Sequence, residues 1–156
     1  MKKLSPGDLF PQVTLNVADG ESLRLPKDLS TVWTILLFYR GFWWPYCIRL
    51  LAGYEERRDA FSEQGVRIIA AVADNEERTT SIRQSLGFDI AHGITREQAD
   101  LLGSWWFEAM NGIQPSEFIL TQSGEVVAST YSNSPVGRMD PEETLVYITY
   151  LNNRQK

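Results

Sequence analysis

The chain has 156 residues, a formal net charge of −5 and a hydrophobic share of 43%, a composition that suits a globular protein with one core and excludes wholesale disorder. Its 15 basic residues are scattered among 20 acidic ones, which excludes a broad nucleic-acid-binding face, because phosphate recognition needs clustered Lys and Arg. The opening Met1-Lys2-Lys3-Leu4-Ser5-Pro6 has no apolar run behind its lysines and no stretch reaches membrane-spanning length, so the expectation is one cytoplasmic domain over residues 1–156.

In chain order, residues 12–17 alternate polar and apolar, Ala18-Asp19-Gly20-Glu21 supplies a turn, and residues 22–25 resume the alternation. This predicts an N-terminal β-hairpin. Residues 31–39 are β-branched, aromatic and apolar on both faces, as in a central strand covered on both sides. A long helical pattern follows, opened by Pro45 and closed by Gly65, with Cys47, Leu50, Leu51, Tyr54 and Phe61 on one face. Residues 66–73 read as a second buried strand, and Asp74 with Glu77 as the capped start of a helix that Gly87 ends. A short extended piece at 88–94 and a short helix at 96–102 come next. Residues 117–120, the Gln122-Ser123-Gly124 turn and residues 125–131 predict an antiparallel hairpin. Asp140-Pro141-Glu142-Glu143 opens the last helix, with Leu145, Ile148, Tyr150 and Leu151 as its apolar contacts. Strands alternating with helices imply parallel pairing, and the closing hairpin makes the sheet mixed: an α/β fold.

The chain holds one cysteine and one histidine. An internal disulfide is therefore excluded, a zinc site is argued against, and no cofactor is expected. A redox cycle that begins at Cys47 must be completed by a thiol from outside this chain. His92 reads as a surface or packing residue rather than a base, and Trp43, Trp44, Trp105 and Trp106 with Phe42 and Phe107 as core aromatics, some of which line a groove or a dimer face.

The segment Tyr39-Arg40-Gly41-Phe42-Trp43-Trp44-Pro45-Tyr46-Cys47 resembles the Tyr-Arg-Gly-x-Trp-Cys-Pro-x-Cys signature of a peroxiredoxin-like branch of the thioredoxin superfamily, the branch of the alkyl hydroperoxide reductase and thiol-specific antioxidant proteins. Leu4-Ser5-Pro6-Gly7-Asp8 with Phe10-Pro11 resembles the family's N-terminal entry, and Gln114-Pro115-Ser116-Glu117-Phe118 with Ser123-Gly124 resembles its closing hairpin. The resemblance spans nearly the whole chain and implies a thioredoxin-like fold, a mixed sheet flanked by helices. It makes Cys47 the peroxidatic candidate and implies a peroxide substrate, an external thiol reductant of thioredoxin, glutaredoxin or glutathione type, and the homodimerisation common among relatives. Pro115 matches the cis-proline that faces the reactive cysteine in thioredoxin folds.

This chain departs from the pattern at three places. Trp44 stands where relatives have a cysteine or threonine, Arg40 where the peroxiredoxin motif opens with proline, and Ile113-Gln114-Pro115 where an arginine is usual. A peroxidatic thiol must ionise near neutrality, although a free cysteine titrates at about 8.5; a helix N-terminus and a nearby cation lower that value. Arg40, at the strand's end, is the expected cation, and Trp43, Trp44, Pro45 and Pro115 the expected site lining. The leading reading is a one-cysteine, thiol-dependent peroxidase. The second is a thioredoxin-fold binding module impaired by Trp44, whether natural or introduced.

Overall fold

Seven consecutive residues without an exposed side chain, Trp33–Tyr39, form the central strand β3. The computed structural model describes residues 2–18, 20–41 and 45–154. Around β3 the chain runs β1 (Val13–Val17), β2 (Ser22–Leu25), β3, α1 (Pro45–Glu56), α2 (Arg58–Glu63), β4 (Val66–Val72), α3 (Glu76–Arg83), β5 (Asp89–His92), α4 (Arg96–Leu102), β6 (Trp106–Phe107), β7 (Gly112–Ile113), β8 (Ser116–Thr121), β9 (Val126–Tyr131) and α5 (Pro141–Arg154). Seven strands form one sheet in the order β2-β1-β5-β4-β3-β8-β9, and β6 and β7 form a separate ribbon. β3 pairs parallel with β4 and antiparallel with β8, leaving the mixed sheet that the strand–helix alternation implies.

Side-chain alternation sends β3 into two cores. Leu36 and Phe38 join Phe10, Leu15, Leu102 and Phe118 on one face, while Ile35, Leu37 and Tyr39 join Cys47, Leu51, Tyr54, Phe61 and Ile148 on the other. Central strand and N-terminal hairpin thus lie where the pattern puts them, with β1 pairing β2 from Val13↔Leu25 to Asn16↔Ser22.

Four helix readings need correction. The long helix is two, broken at Arg57 (φ −105°, ψ 12°). After Tyr54 the apolar face would need a contact at 57 or 58, and both positions are arginine. Phe61 regains the core across the break, its ring 5.6 Å from that of Tyr54. The α3 cap is Asn75, whose side chain accepts from the Arg78 amide, and Asp74 lies 3.8 Å from the Arg78 guanidinium instead. That helix ends at Arg83 rather than near Gly87, whose amide donates to Glu55 Oε2 at 2.8 Å. In α5, Asp140 Oδ2 accepts from the Glu143 amide as a cap does and Ile148 is buried, but Tyr150 is exposed and stacks on Tyr147.

The helices α1 and α5 meet where a β-carbon on Gly53 would come within 2.9 Å of Pro141 Cγ. Only a residue without a side chain lets the start of α5 approach α1 so closely.

The closing hairpin is anchored by Phe118, whose ring meets those of Phe10, Phe38 and Tyr131 edge-on at 5.4, 6.0 and 5.5 Å. Truncating such a ring leaves a cavity as well as lost transfer energy. Phe118→Ala is expected to lower unfolding stability by about 3–5 kcal/mol, read from the urea midpoint at unchanged slope.

Candidate active site

Cys47 lies in the first turn of α1, on the face that meets the sheet, and is fully buried. Pro45 begins the helix, exposed and with no amide to leave unpaired there. The first-turn amides and the helix dipole favour negative charge at this end. Trp43 and Trp44, with Phe42, lie outside the described residues.

The group that touches the sulfur is one that the reading of the sequence missed. Arg138 Nη2 donates to Cys47 Sγ at 3.2 Å across 91 positions of sequence. The same guanidinium stands over the Tyr39 ring, 4.7 Å from its centroid. Arg138 follows Gly137, whose φ of +87° turns the chain between β9 and α5. No periodicity marks the segment Pro135-Val136-Gly137-Arg138; only the tertiary fold brings it to α1.

Arg40, the expected cation, is buried, donates from Nε to Gln114 Oε1 at 2.7 Å and places its guanidinium 4.1 Å from the Phe107 centroid. Burial lowers its pKa most, the Cys47 charge acts to raise it, and Arg138 lowers it. Arg40 is thus within electrostatic reach of the sulfur, but Arg138 is the arginine in contact. Gln114 holds Arg40 in place.

The sequence leaves the peptide before Pro115 open between cis and trans. Among the described residues the single cis peptide is Leu25–Pro26, so Gln114–Pro115 is trans. The chain passes extended from β7 into β8, with the Gln114 amide donating to Trp105 O at 2.9 Å and the Ser132 amide to Pro115 O at 3.0 Å. His92 faces Glu76 at 3.2 Å and has no contact with the thiol. Trp105 is partly exposed beneath the Lys3 ammonium, and Trp106 and Phe107 are half-buried.

Glu117 completes the cluster. It occupies the helix-facing side of β8, fully buried, accepting from Tyr39 Oη at 3.1 Å and from the Met139 amide at 2.7 Å. Burial pushes its pKa up to about 7, against the opposing effects of the Met139 amide, the Tyr39 hydroxyl and Arg138. Burial and then the Glu117 charge raise Tyr39 and Tyr54. A glutamate directly before the apolar run of residues 118–120, in a segment that reads as a strand, was the signal in the sequence for this residue.

Beside the cluster, Tyr46, Arg49, Leu50, Val136 and Arg138 contribute to a surface pocket of about 350 Å³. Among the described residues no group of three or more His, Cys, Asp or Glu side chains could hold a metal ion, and no helix is long and apolar enough to cross a membrane.

With this geometry in view, the family model of AhpC/TSA matches residues 6–129. The chain belongs to the AhpC/TSA family. A putative peroxiredoxin of Mycobacterium tuberculosis is 24% identical over 144 residues, covering 88% of this chain and 91% of that protein. Peroxiredoxin Bcp of Escherichia coli is 22% identical over 133 residues, with coverage of 81% and 85%. Among solved structures, peroxiredoxin 6 of Arenicola marina superposes with a TM-score of 0.85 at 20% identity, over 98% of this chain and 76% of that one. AhpC of Mycobacterium tuberculosis gives 0.82 at 18% identity, over 98% and 96%. The fold is that of the thioredoxin-like peroxiredoxins.

A buried carboxyl whose pKa is raised from 4.5 to about 7 holds its proton in the folded chain at pH values where the unfolded chain has lost it. The native state then binds more protons, so stability falls as pH rises between these two values. The fall attributable to Glu117 is expected to be about 3 kcal/mol, and Glu117→Gln should flatten that part of the stability–pH curve measured by denaturant titration.

Proposed function

We propose that this AhpC/TSA-family protein is a thiol-dependent peroxidase working through one cysteine. The observation that carries the reading is the Arg138 Nη2 contact to Cys47 Sγ at 3.2 Å, at the start of a helix. Both surroundings favour a negative sulfur, which is the form that attacks peroxide. Membership of the family and the peroxiredoxin fold support the same chemistry.

The Cys47 thiolate attacks the terminal oxygen of the hydroperoxide, forming the S–O bond as the O–O bond breaks. The departing hydroxide or alkoxide takes a proton and leaves as water or alcohol, and the cysteine is left as a sulfenic acid. Since the chain has no second cysteine, an external thiol condenses with that acid, releasing water and giving a mixed disulfide. A second thiol equivalent then restores the free cysteine. A reductant of the thioredoxin, glutaredoxin or glutathione class, in a cytoplasmic setting that keeps such thiols reduced, fits this cycle. Arg138 is the direct electrostatic partner of the sulfur and Arg40 a more distant one. Pro45 opens the helix that carries the sulfur, and residues 1–156 act as one domain.

The complete burial of Cys47 favours one competing reading, a binding module without turnover. Consumption of hydrogen peroxide or cumene hydroperoxide with added dithiothreitol separates the two. Turnover is expected, Cys47→Ser should abolish it, and Arg138→Gln should lower kcat/KM by about 10- to 100-fold. Absence of turnover, or turnover that survives Cys47→Ser, overturns the peroxidase reading.

A further inference from the structure

The mechanism uses Cys47 and Arg138 but leaves Glu117 unexplained. A fully buried carboxyl near the start of a strand costs stability unless its surroundings use it. Each of its contacts leads to Arg138. Glu117 Oε1 accepts from the amide of Met139, the residue after the arginine, at 2.7 Å. Its Oε2 accepts from the hydroxyl of Tyr39, whose ring lies beneath the arginine's guanidinium at 4.7 Å. The carboxyl thus fixes the arginine's backbone on one side and the ring under its guanidinium on the other. Arg138 Nε and Nη1 are themselves buried with no hydrogen-bond partner among the described residues, so the cation depends on nearby negative charge.

We propose that Glu117 is a positioning residue that shares Arg138 with Cys47 as a common counter-ion, so that the charge on the carboxyl governs how fully the guanidinium serves the sulfur. Titratable groups face Glu117 from each side: Tyr39 from β3, Tyr54 from α1 and Arg138 from the loop before α5, with Asp140 acting on Tyr54 from the α5 cap. Arg138 is the only cation among these, so the carboxylate and the thiolate compete for it. While Glu117 holds its proton the guanidinium is left to the sulfur, and once Glu117 ionises the two anions divide one cation. The ionisation of the carboxyl close to neutrality places this exchange within the physiological range.

The inference deepens the peroxidase reading, since it concerns the same thiolate, but its test needs no turnover. A single cysteine makes the ultraviolet thiolate absorbance unambiguous once the spectrum of Cys47→Ser is subtracted, and the infrared carboxyl stretch lost in Glu117→Gln reports the acid. In the wild type the thiolate is expected to appear in two coupled phases, one coinciding with carboxyl ionisation. Glu117→Gln keeps both hydrogen-bonding partners, its carbonyl accepting from Met139 and its amide donating to Tyr39 Oη, and removes only the competing charge. The thiolate should then appear in one phase, with the proton concentration at half-ionisation raised about fivefold. Arg138→Gln should move the thiol and carboxyl steps together to higher pH. Tyr39→Phe removes a donor to the carboxylate and should move the carboxyl step alone to higher pH, which decides the matter if Glu117→Gln does not fold. A thiol phase unchanged or moved upward in Glu117→Gln, or a carboxyl step unmoved by Arg138→Gln, overturns the shared counter-ion. Loss of peroxide turnover with these titrations intact would overturn the peroxidase reading alone.

Discussion

The guanidinium of Arg138 is partly buried against a sulfur, with its Nε and Nη1 closed off from water, and the hydration those atoms lose must be offset by what surrounds them. Arg138 meets that demand with three neighbours: the Cys47 sulfur at 3.2 Å, the Tyr39 ring at 4.7 Å and the buried carboxyl of Glu117, which holds the adjacent Met139 amide. None of the three alone suffices. The ring supplies only its negative face, the carboxyl is itself held near neutrality by burial, and the sulfur is useful only when ionised.

The rest of the fold can be understood as the means of assembling these groups. Alternation along β3 turns Tyr39 toward the helices, and the antiparallel partner β8 places Glu117 opposite Leu37 on the same face. The helix α1 lays Cys47 and Tyr54 over that face. Arg138 then has to arrive from the loop before α5, so the approach of Pro141 to Gly53 bears directly on the chemistry. Tyr54 secures the same loop, its hydroxyl donating to Met139 O at 3.2 Å and lying 3.3 Å from Thr144 Oγ1.

Much of this architecture was legible in the sequence, because it rests on signals that are local and periodic. The apolar run of β3, the hairpin turns and the cap at Asp140 depend only on near neighbours. The ribbon of β6 and β7 was not legible, since strands of two residues carry no period. The site was half visible. Cys47 stood out by motif and by its place at a helix start, whereas Arg138 sits in a loop without periodicity, 91 positions away from it. Arg40 was the natural choice by proximity in sequence, yet proximity is a poor guide where a parallel strand pair and a crossover decide who meets whom. Glu117 could have been noticed, because an acid inside an apolar strand conflicts with its local pattern, and such conflicts concentrate at functional places.

The two arginines divide the electrostatic work. Arg40 is anchored by Gln114 and the Phe107 face, both uncharged. Arg138 is held by groups that can change charge. Both guanidiniums therefore act on the sulfur, while Arg138 alone of the two acts on the buried carboxyl of Glu117, and an anion at the sulfur is favoured from two sides. A hydroxyl at position 44 would orient a peroxide but add no charge to this balance. Tryptophan, the residue at position 44, offers an indole donor but no acceptor, and it adds no charge either. Activation of the thiol and orientation of its substrate are thus separable here, and the described residues bear on the first of these.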